Sequence, residues 1–276
     1  MSYRYQRRYT GPVQAVIMDW AGTTVDYGSL APVRAFQRLF EGEGIAVTLA
    51  ECRAPMGSEK REHIRRMLDM TRIRDGWIRS QGAAPTEADI DRLYQAFIGI
   101  QIECIRDCAE LIPGMAEVVD SLSGKGIRLA ANTGYSEDMM AELRERASEQ
   151  GYQPEVVITA SDVSHGRPWP EMSLKAAIAL EVNAVQACVK VDDTGPGIAE
   201  GLNAGMWTVA VAVSGNEVGL SLTDWQALDP AEQARRRRLA HDRLTAAGAH
   251  YVIDTIAELP RVIEDIEARL AGGEYP

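Results

Sequence analysis

Short apolar runs alternate with helical patterns over residues 127–213, and this alternation constrains the fold more than any other feature of the chain. The apolar runs cover residues 127–131, 156–159, 187–191 and 208–213. Strands that alternate with helices form parallel sheets that are covered by helices on both faces. Residues 13–18 predict a further buried strand near the start, and residues 251–253 predict a late one. The chain is therefore predicted to be an α/β protein.

The segment from about residue 48 to residue 107 interrupts the alternation, because it holds several helical patterns and no strand. Thr86-Glu-Ala-Asp89 has the spacing of a capping box and predicts the start of a helix that runs to about Asp107. A helical block that follows the first strand indicates an inserted cap. We predict a core domain of residues 1–27 and 108–276 and a helical cap domain of residues 28–107.

Charge and hydropathy limit the partners. The formal net charge of −11 disfavours nucleic-acid binding, which needs basic surfaces. Four consecutive arginines at 235–238 are flanked by acidic residues and are interpreted as a solvated helix face. No apolar run has the length of a membrane span, and the first ten residues lack the apolar core of a signal peptide. We expect no nucleic-acid or membrane partner and a cytoplasmic protein.

Polar side chains follow several of the predicted strands. Asp19, Thr133, Asp192 and Asp193 each come at the end of an apolar run. Ligands of open parallel sheets collect at the carboxyl ends of the strands. These residues are distant in sequence, and the predicted sheet brings them to one edge.

Asp19 is the candidate nucleophile, since a carboxylate can attack phosphorus and form an acyl phosphate. An Asp that only caps the following turn is the alternative. Asp192 and Asp193 would repel Asp19 unless a cation lay between them, and oxygen ligands suit Mg²⁺. We predict that Asp19, the backbone carbonyl of Ala21 and Asp193 bind the metal. Asp192 is expected to lie behind them or to cap the next helix.

Three further residues have the chemistry of phosphoryl binding. Thr133 and Gly134 offer a hydroxyl and backbone N–H groups before a predicted helix N-terminus. Arg167 lies in a loop with Gly166 and two prolines, and a guanidinium can bind phosphate through two parallel hydrogen bonds. A turn and a surface arginine are the simpler interpretations of these residues.

Lys60 in the cap segment is the most specific prediction. Its amine can form an imine with an aldehyde, provided that its pKa is lowered by burial. His63 follows at i+3, on the same face of a helix, and can carry protons. Met56 and Gly57 are predicted to begin this helix. A solvated lysine and a packed histidine remain alternatives.

Several motifs together carry a resemblance to a known family. They are Asp-Trp-Ala-Gly-Thr at 19–23, Pro-Met-Gly at 55–57 with Lys60 and His63, Thr-Gly-Tyr at 133–135, Gly-Arg-Pro-Trp-Pro at 166–170 and Lys-Val-Asp-Asp-Thr at 190–194. Over nearly its whole length the chain resembles the phosphonoacetaldehyde hydrolases, or phosphonatases, of the haloacid dehalogenase (HAD) superfamily. The resemblance implies a HAD-like Rossmannoid core, a parallel sheet flanked by helices, with an inserted α-helical cap.

The same resemblance implies an activity and a set of roles. The activity is hydrolysis of the phosphorus–carbon bond of phosphonoacetaldehyde to acetaldehyde and phosphate. Lys60 would form the Schiff base, Asp19 the aspartyl phosphate, and Mg²⁺ would be the cofactor. Tyr135, His63 and Met56 would line the substrate pocket. A homodimer that associates through the cap is also implied.

Some positions depart from the family pattern, and other functions remain to be weighed. Gly195-Pro-Gly197 stands where many superfamily members carry a further acidic residue, Ser29 replaces a cysteine of some relatives, and Asn132 is expected to alter the pocket. The alternative function is a capped phosphomonoesterase or phosphomutase. Such an enzyme needs an acid at position 21, and Ala21 has no proton to donate. A phospho-receiver domain is disfavoured by the helical insertion.

Overall fold

A computed structural model describes residues 8–276, so most of the N-terminal segment considered above, residues 1–7, lies outside the described residues. Six strands form one sheet in the order β3-β2-β1-β4-β5-β6, and every neighbouring pair is parallel. The predicted α/β fold is therefore confirmed. The strands are β1 (Ala15–Met18), β2 (Arg128–Thr133), β3 (Val156–Thr159), β4 (Cys188–Asp192), β5 (Trp207–Val211) and β6 (Tyr251–Ile253).

The cap is a group of five helices between β1 and β2, as the sequence predicted. Thr86 and Asp89 form the predicted capping box, in which the Thr86 N–H donates to Asp89 Oδ2 at 2.9 Å. The domain boundaries at 28 and 107 remain a prediction that agrees with these helix ends. The cap helices are α1 (Leu30–Gly42), α2 (Leu49–Arg53), α3 (Lys60–Asp69), α4 (Thr71–Gln81) and α5 (Glu87–Arg106).

Seven further helices follow the cap in sequence. The arginine run lies on α11, where Arg235 and Arg236 pair with Glu232 and Arg237 pairs with Asp254. Among residues 8–276 no helix has both the length and the apolar character needed to cross a membrane. The helices are α6 (Met115–Gly124), α7 (Glu137–Glu149), α8 (Glu171–Ala179), α9 (Gly195–Asn203), α10 (Leu222–Ala227), α11 (Pro230–Ala246) and α12 (Leu259–Ala271).

The two chain segments that join the cap to the sheet run side by side. The Asp26 N–H donates to Glu110 O at 3.0 Å, and the Ile112 N–H donates to Thr24 O at 2.9 Å. The Asp26 carboxylate accepts the N–H groups of Leu30 and Ala31, both at 2.9 Å, at the start of α1. Burial raises the pKa of Asp26 to about 6, against these hydrogen bonds. The base of the cap is thus fixed by the paired backbone of the two segments and by the buried Asp26 carboxylate at the start of α1.

Strand β1 is the centre of the sheet, because it pairs with β2 on one side and β4 on the other. Its four side chains are completely buried, as expected for a parallel sheet with helices on both faces. Apolar packing continues from the sheet into the cap, where the rings of Phe36 and Phe97 stack at 4.4 Å. The strand that precedes Asp19 therefore lies in the buried centre of the sheet.

Truncation of the β1 core should destabilise the whole domain. We expect Ile17→Ala, at a fully buried side chain, to lower the free energy of unfolding by about 2–5 kcal/mol, because a cavity replaces lost contacts. The matched control is Ile178→Ala on α8, where the side chain is 77% exposed and the expected change is under about 0.5 kcal/mol. Urea denaturation followed by circular dichroism measures both. Equal changes in the two variants would contradict the described core.

Candidate active site

A small cavity lies between the carboxyl edge of the sheet and the cap. Its volume is about 30 Å³. The structure brings together at this cavity all of the predicted site residues except His63. Those that line it are Asp19, Ala21, Met56, Gly57, Lys60, Thr133, Gly134, Tyr135, Arg167 and Asp193.

Asp19 is placed by the end of β1. Its N–H donates to Val191 O on β4 at 2.9 Å, and its carbonyl accepts the Thr24 hydroxyl at 3.1 Å. The carboxylate is 5% exposed, and Oδ1 accepts Arg167 Nη2 at 2.7 Å. Burial raises the pKa of Asp19, and the Arg167 charge opposes that shift. Asp19 is thus a fixed, partly neutralised carboxylate that faces the cavity.

Arg167 lies in the loop between β3 and α8 and is held by acceptors on several elements. Its Nε donates to Glu200 Oε2 at 2.9 Å, and Nη2 donates to Asn132 Oδ1 at 2.8 Å as well as to Asp19. Asp192 Oδ2 lies 3.3 Å from Nη2. Buried charges are stable only when they are paired in this way. The guanidinium is therefore locked beside the candidate nucleophile.

A second layer of buried polar groups supports Arg167 from beneath. Glu200 Oε1 accepts Asn132 Nδ2 at 2.8 Å and the Ser173 hydroxyl at 2.7 Å. Lys190 Nζ donates to Asn132 Oδ1 at 2.7 Å. Both polar atoms of the Asn132 amide are hydrogen-bonded within this network, and the residue does not line the cavity. Asn132 instead holds Arg167, which does line the cavity, so its effect on the pocket stays a prediction.

The acidic residues form the predicted cluster. One carboxylate oxygen from each of Asp19, Asp192 and Asp193 lies within 4.8 Å of the others. Asp193 Oδ2 accepts the Asn216 N–H at 2.8 Å, whereas Oδ1 is buried with no hydrogen-bond partner among residues 8–276. Burial and the neighbouring carboxylates raise the pKa of Asp193 well above its usual value. An oxygen-liganded divalent cation fits this arrangement, because it would satisfy the unpaired oxygen and offset the repulsion.

Asp192 has protein partners at both of its carboxylate oxygens. Its Oδ1 accepts the N–H of Thr194 at 3.0 Å and the Thr194 hydroxyl at 2.7 Å, and its Oδ2 lies 2.9 Å from Lys190 Nζ. Burial raises the pKa of Asp192, but Arg167 and Lys190 outweigh it and the pKa is lowered. A Cβ atom at Gly197 would overlap the Asp192 carboxylate. The geometry favours Asp193 over Asp192 as the metal ligand.

Lys60 is the first residue of α3 and faces the cavity from the cap. It is 4% exposed, and its Nζ lies 5.1 Å from the centre of the Tyr135 ring. Burial lowers the pKa of Lys60 to about 8, although the charge of Asp19 opposes the shift. A neutral amine is therefore accessible near physiological pH.

The start of α3 differs from the prediction. Met56 and Gly57 lie in the turn before the helix, and Glu59 caps it through hydrogen bonds from the Arg61 and Glu62 N–H groups at 2.8 and 3.0 Å. Gly57 has a φ of +88°, and a Cβ there would collide with the Thr194 hydroxyl. A left-handed turn thus ends the earlier segment and lets the backbone approach the core.

His63 lies behind Lys60 rather than in the cavity wall. Its Nε2 is 2.9 Å from Cys52 O, so Nε2 carries the proton, because a carbonyl can only accept. Its ring stacks on Phe36 with a centre-to-centre distance of 3.8 Å. Burial lowers the pKa of His63 well below its usual value, and the Lys60 charge adds to this. His63 is consequently neutral with an unprotonated Nδ1.

Thr133, Gly134 and Tyr135 follow β2 at the same edge. Thr133 Oγ1 accepts the Tyr135 N–H at 3.1 Å. A Cβ at Gly134 would lie 3.2 Å from Ser58 O, so the cap packs directly against this backbone. The Tyr135 ring forms the wall under Lys60, with its hydroxyl buried.

Known proteins share both the sequence and the fold. A family profile of haloacid dehalogenase-like hydrolases matches residues 13–205. The phosphonoacetaldehyde hydrolase of Hahella chejuensis is 55% identical over 276 residues, which are 100% of this chain and 94% of that protein. The chain belongs to the phosphonoacetaldehyde hydrolase family of the HAD superfamily.

Two further members of the phosphonoacetaldehyde hydrolase family extend the match. The Paraburkholderia phytofirmans phosphonoacetaldehyde hydrolase is 47% identical over 264 residues, 96% of this chain and 99% of that protein. The crystal structure of a phosphonoacetaldehyde hydrolase-like protein from Oleispira antarctica covers 100% of both chains, with 54% identity and a TM-score of 0.98. The predicted HAD-like core with a helical cap is thereby confirmed.

Sequence reasoning missed some residues of the site. Ser29, Pro32, Ser58 and Thr194 also line the cavity. Ser29 was noted only as a departure from the phosphonoacetaldehyde hydrolase pattern, and it enters the lining because the turn at the base of the cap passes the sheet edge. Thr194 directly follows the acidic pair, which was the available signal for it.

The acidic cluster predicts a metal response that does not depend on turnover. Mg²⁺ should raise the melting temperature of the protein by several degrees, because it binds the folded state. Asp193→Asn keeps an oxygen for the Asn216 N–H and removes a charge, so the response should vanish while the metal-free melting temperature stays equal or rises. Thermal melts with and without Mg²⁺ measure this. Asp120→Asn, exposed on α6, is the control, and a full response in Asp193→Asn would contradict the assignment.

Proposed function

We propose that the protein hydrolyses the phosphorus–carbon bond of phosphonoacetaldehyde to acetaldehyde and phosphate. The observation that carries the proposal is that Lys60 from the cap and Asp19 from the sheet face one cavity, each buried. An amine can activate an aldehyde carbon while a carboxylate captures phosphorus. The family membership and the names of its relatives agree with this division of roles.

The first proposed step uses Lys60. Its neutral Nζ adds to the aldehyde carbon to give a carbinolamine. The carbinolamine hydroxyl takes up one proton and leaves as water, which leaves a protonated imine. Burial lowers the pKa of Lys60 to about 8, which provides the neutral amine. His63, with its unprotonated Nδ1 next to this helix turn, is the proposed proton carrier. Met56 and Tyr135 are the proposed walls for the carbon end of the substrate.

The second step transfers phosphorus to Asp19. The Asp19 carboxylate forms a bond to phosphorus, and the electrons of the phosphorus–carbon bond move into the imine to give an enamine on Lys60. Protonation at carbon and addition of water then release acetaldehyde and the free amine. A further water cleaves the aspartyl phosphate and releases phosphate. The imine makes this possible because an enamine leaves more easily than a carbanion.

Binding of the phosphonate is proposed for the carboxyl edge of the sheet. Arg167 Nη2 lies 2.7 Å from Asp19 Oδ1, so it is placed to contact oxygens of a phosphoryl group that Asp19 attacks. Thr133 and the backbone at Gly134 offer further donors. Asp19, the Ala21 carbonyl and Asp193 would hold Mg²⁺, which supplies positive charge to the phosphoryl oxygens.

A capped phosphomonoesterase or phosphomutase is the competing assignment. Both must protonate an ester or hydroxyl oxygen, and Ala21 offers no acid at the cavity. Ester hydrolysis does not need a neutral amine, whereas imine formation does, so the lowered pKa of Lys60 favours phosphorus–carbon cleavage. A homodimer that associates through the cap stays a proposal from the family resemblance, and a cytoplasmic location stays a proposal from the sequence pattern.

Trapping of the imine tests the proposal directly. Borohydride added with phosphonoacetaldehyde should reduce an adduct on Lys60, which peptide mass mapping can assign because the chain has only four lysines. Lys60→Ala should lose the adduct and reduce turnover by several orders of magnitude. Lys125→Ala, at an exposed position, should retain both. Unchanged phosphate release by Lys60→Ala, or faster hydrolysis of phosphate monoesters than of the phosphonate, would support the competing enzyme instead.

The pH profile follows from the state of Lys60. Only the neutral amine attacks, so kcat/KM for phosphate release should rise with pH, reach half of its plateau near the Lys60 pKa of about 8, and fall about tenfold per pH unit below it. Initial rates across neutral and alkaline buffers, at constant ionic strength and Mg²⁺, measure the curve. A profile that decreases with rising pH through this range would contradict the assigned role of the amine.

A further inference from the structure

The cavity is too small for the proposed substrate, so the cap must move to admit it. Its volume of about 30 Å³ holds one or two water molecules. A phosphonate that carries an aldehyde group is several times larger than water. Lys60 and Asp19 are 4% and 5% exposed. The structure is therefore a closed form, and some contact must hold it closed and release it.

Arg53 connects the cap to loops of the core through several side-chain hydrogen bonds. It is the last residue of α2, and its guanidinium reaches two segments outside the cap helices. Nη1 donates to Gly28 O and to Asn216 Oδ1, both at 3.0 Å, and Nη2 donates to Gly219 O at 3.0 Å. The Arg53 side chain thus joins α2 to the segment between β1 and α1, which contains Gly28, and to the loop after β5.

The segment at Gly28 and the loop after β5 are shaped around this guanidinium. Gly219 has a φ of +65°, and a Cβ there would lie 2.5 Å from Arg53 Cζ. Gly28 has a φ of +89°, a Cβ there would collide with Leu220 O, and its N–H donates to Ser214 O at 2.7 Å. Both glycines adopt backbone angles that favour glycine, and both allow a close approach. The binding position of Arg53 is therefore built into the backbone.

The contact is of a kind that can open reversibly. Arg53 is half-buried, and it forms no ion pair within the part of the chain that the structure describes. Neutral carbonyl and amide oxygens hold it instead. Breaking a buried ion pair leaves an uncompensated charge, whereas a guanidinium released from carbonyls is hydrated when the interface opens. The hydrogen bonds stabilise the closed form without making it permanent.

The same contact reaches both halves of the site. Asn216 accepts Arg53 through its side chain, and its N–H donates to Asp193 Oδ2 at 2.8 Å. On the cap side, Cys52 O accepts His63 Nε2, which ties the end of α2 to α3 one turn beyond Lys60. A shift of the guanidinium would therefore disturb the acidic cluster and the amine together.

We propose that Arg53 is a positioning residue that holds the cap closed and couples that closure to the loop at Asp193. Its release opens the cavity, and its return places Lys60 opposite Asp19. Only the reason for opening rests on the proposed function, since the contact itself is independent of which substrate enters.

Chemical labelling of lysines tests this coupling in the Mg²⁺-loaded protein without any substrate. A limiting amount of an amine-acetylating ester should modify Lys60 slowly in the wild type. Arg53→Ala should accelerate Lys60 modification about tenfold or more, because several hydrogen bonds to a charged group are lost. Arg53→Lys should give an intermediate rate. Arg74→Ala, at an exposed arginine of α4, should leave the rate unchanged.

The other lysines separate cap opening from loss of the fold. Lys190 is completely buried in the sheet and should stay protected in Arg53→Ala, while Lys125 and Lys175 are exposed and report reagent activity. If Lys60 in Arg53→Ala were modified at the wild-type rate, the proposal would be overturned. An equal acceleration at Lys190 would also overturn it, because Arg53 would then have only a structural role. Because no substrate is present, an incorrect substrate assignment would leave this result intact.

Discussion

The buried guanidinium of Arg167 is the interaction on which the site depends. Asp19, Asp192 and Glu200 come from β1, β4 and α9, and Arg167 lies among all three. Carboxylates at this density would be unstable in a buried edge without a cation at their centre. Because each contact is a directional hydrogen bond or a close ion pair, the arginine also sets the spacing of the strand ends. The position of Asp19, the candidate nucleophile, is thus determined by electrostatics as much as by the sheet.

Burial favours the neutral form of both Lys60 and Asp19, but the proposed mechanism needs only Lys60 to be neutral. Burial lowers the pKa of Lys60 and raises that of Asp19, yet the proposed mechanism needs a neutral amine and an ionised carboxylate. The carboxylate is supported by Arg167 at 2.7 Å, whereas the amine is surrounded by the Tyr135 and Phe36 rings. Because Asp19 lies on the sheet and Lys60 on the cap, each group has its own surroundings, and closure of the cap brings the two groups together.

The alternation of strands and helices predicted the parallel sheet, the cap insertion and the placement of Asp19 and Asp193 at strand ends. The cavity residues from the cap were predicted from their side-chain chemistry and from the family resemblance. The sequence did not predict Glu200 as a partner of Arg167, since an acidic residue within a helix has the pattern of a solvated position. Arg53 was missed for a similar reason: its acceptors are mostly backbone carbonyls, which no residue type reveals. The place of Asn132 in the network beneath the cavity was also missed, because strand position does not show which way a side chain points.

Because a side chain at 197 would collide with the Asp192 carboxylate, the residue that one of these positions can hold depends on the residue at the other. An acidic residue at 197 needs the volume that Asp192 now fills, so a single substitution of Gly197 would force a further carboxylate against that of Asp192. This backbone can therefore accept an acidic side chain at 197 only if residue 192 is smaller than aspartate.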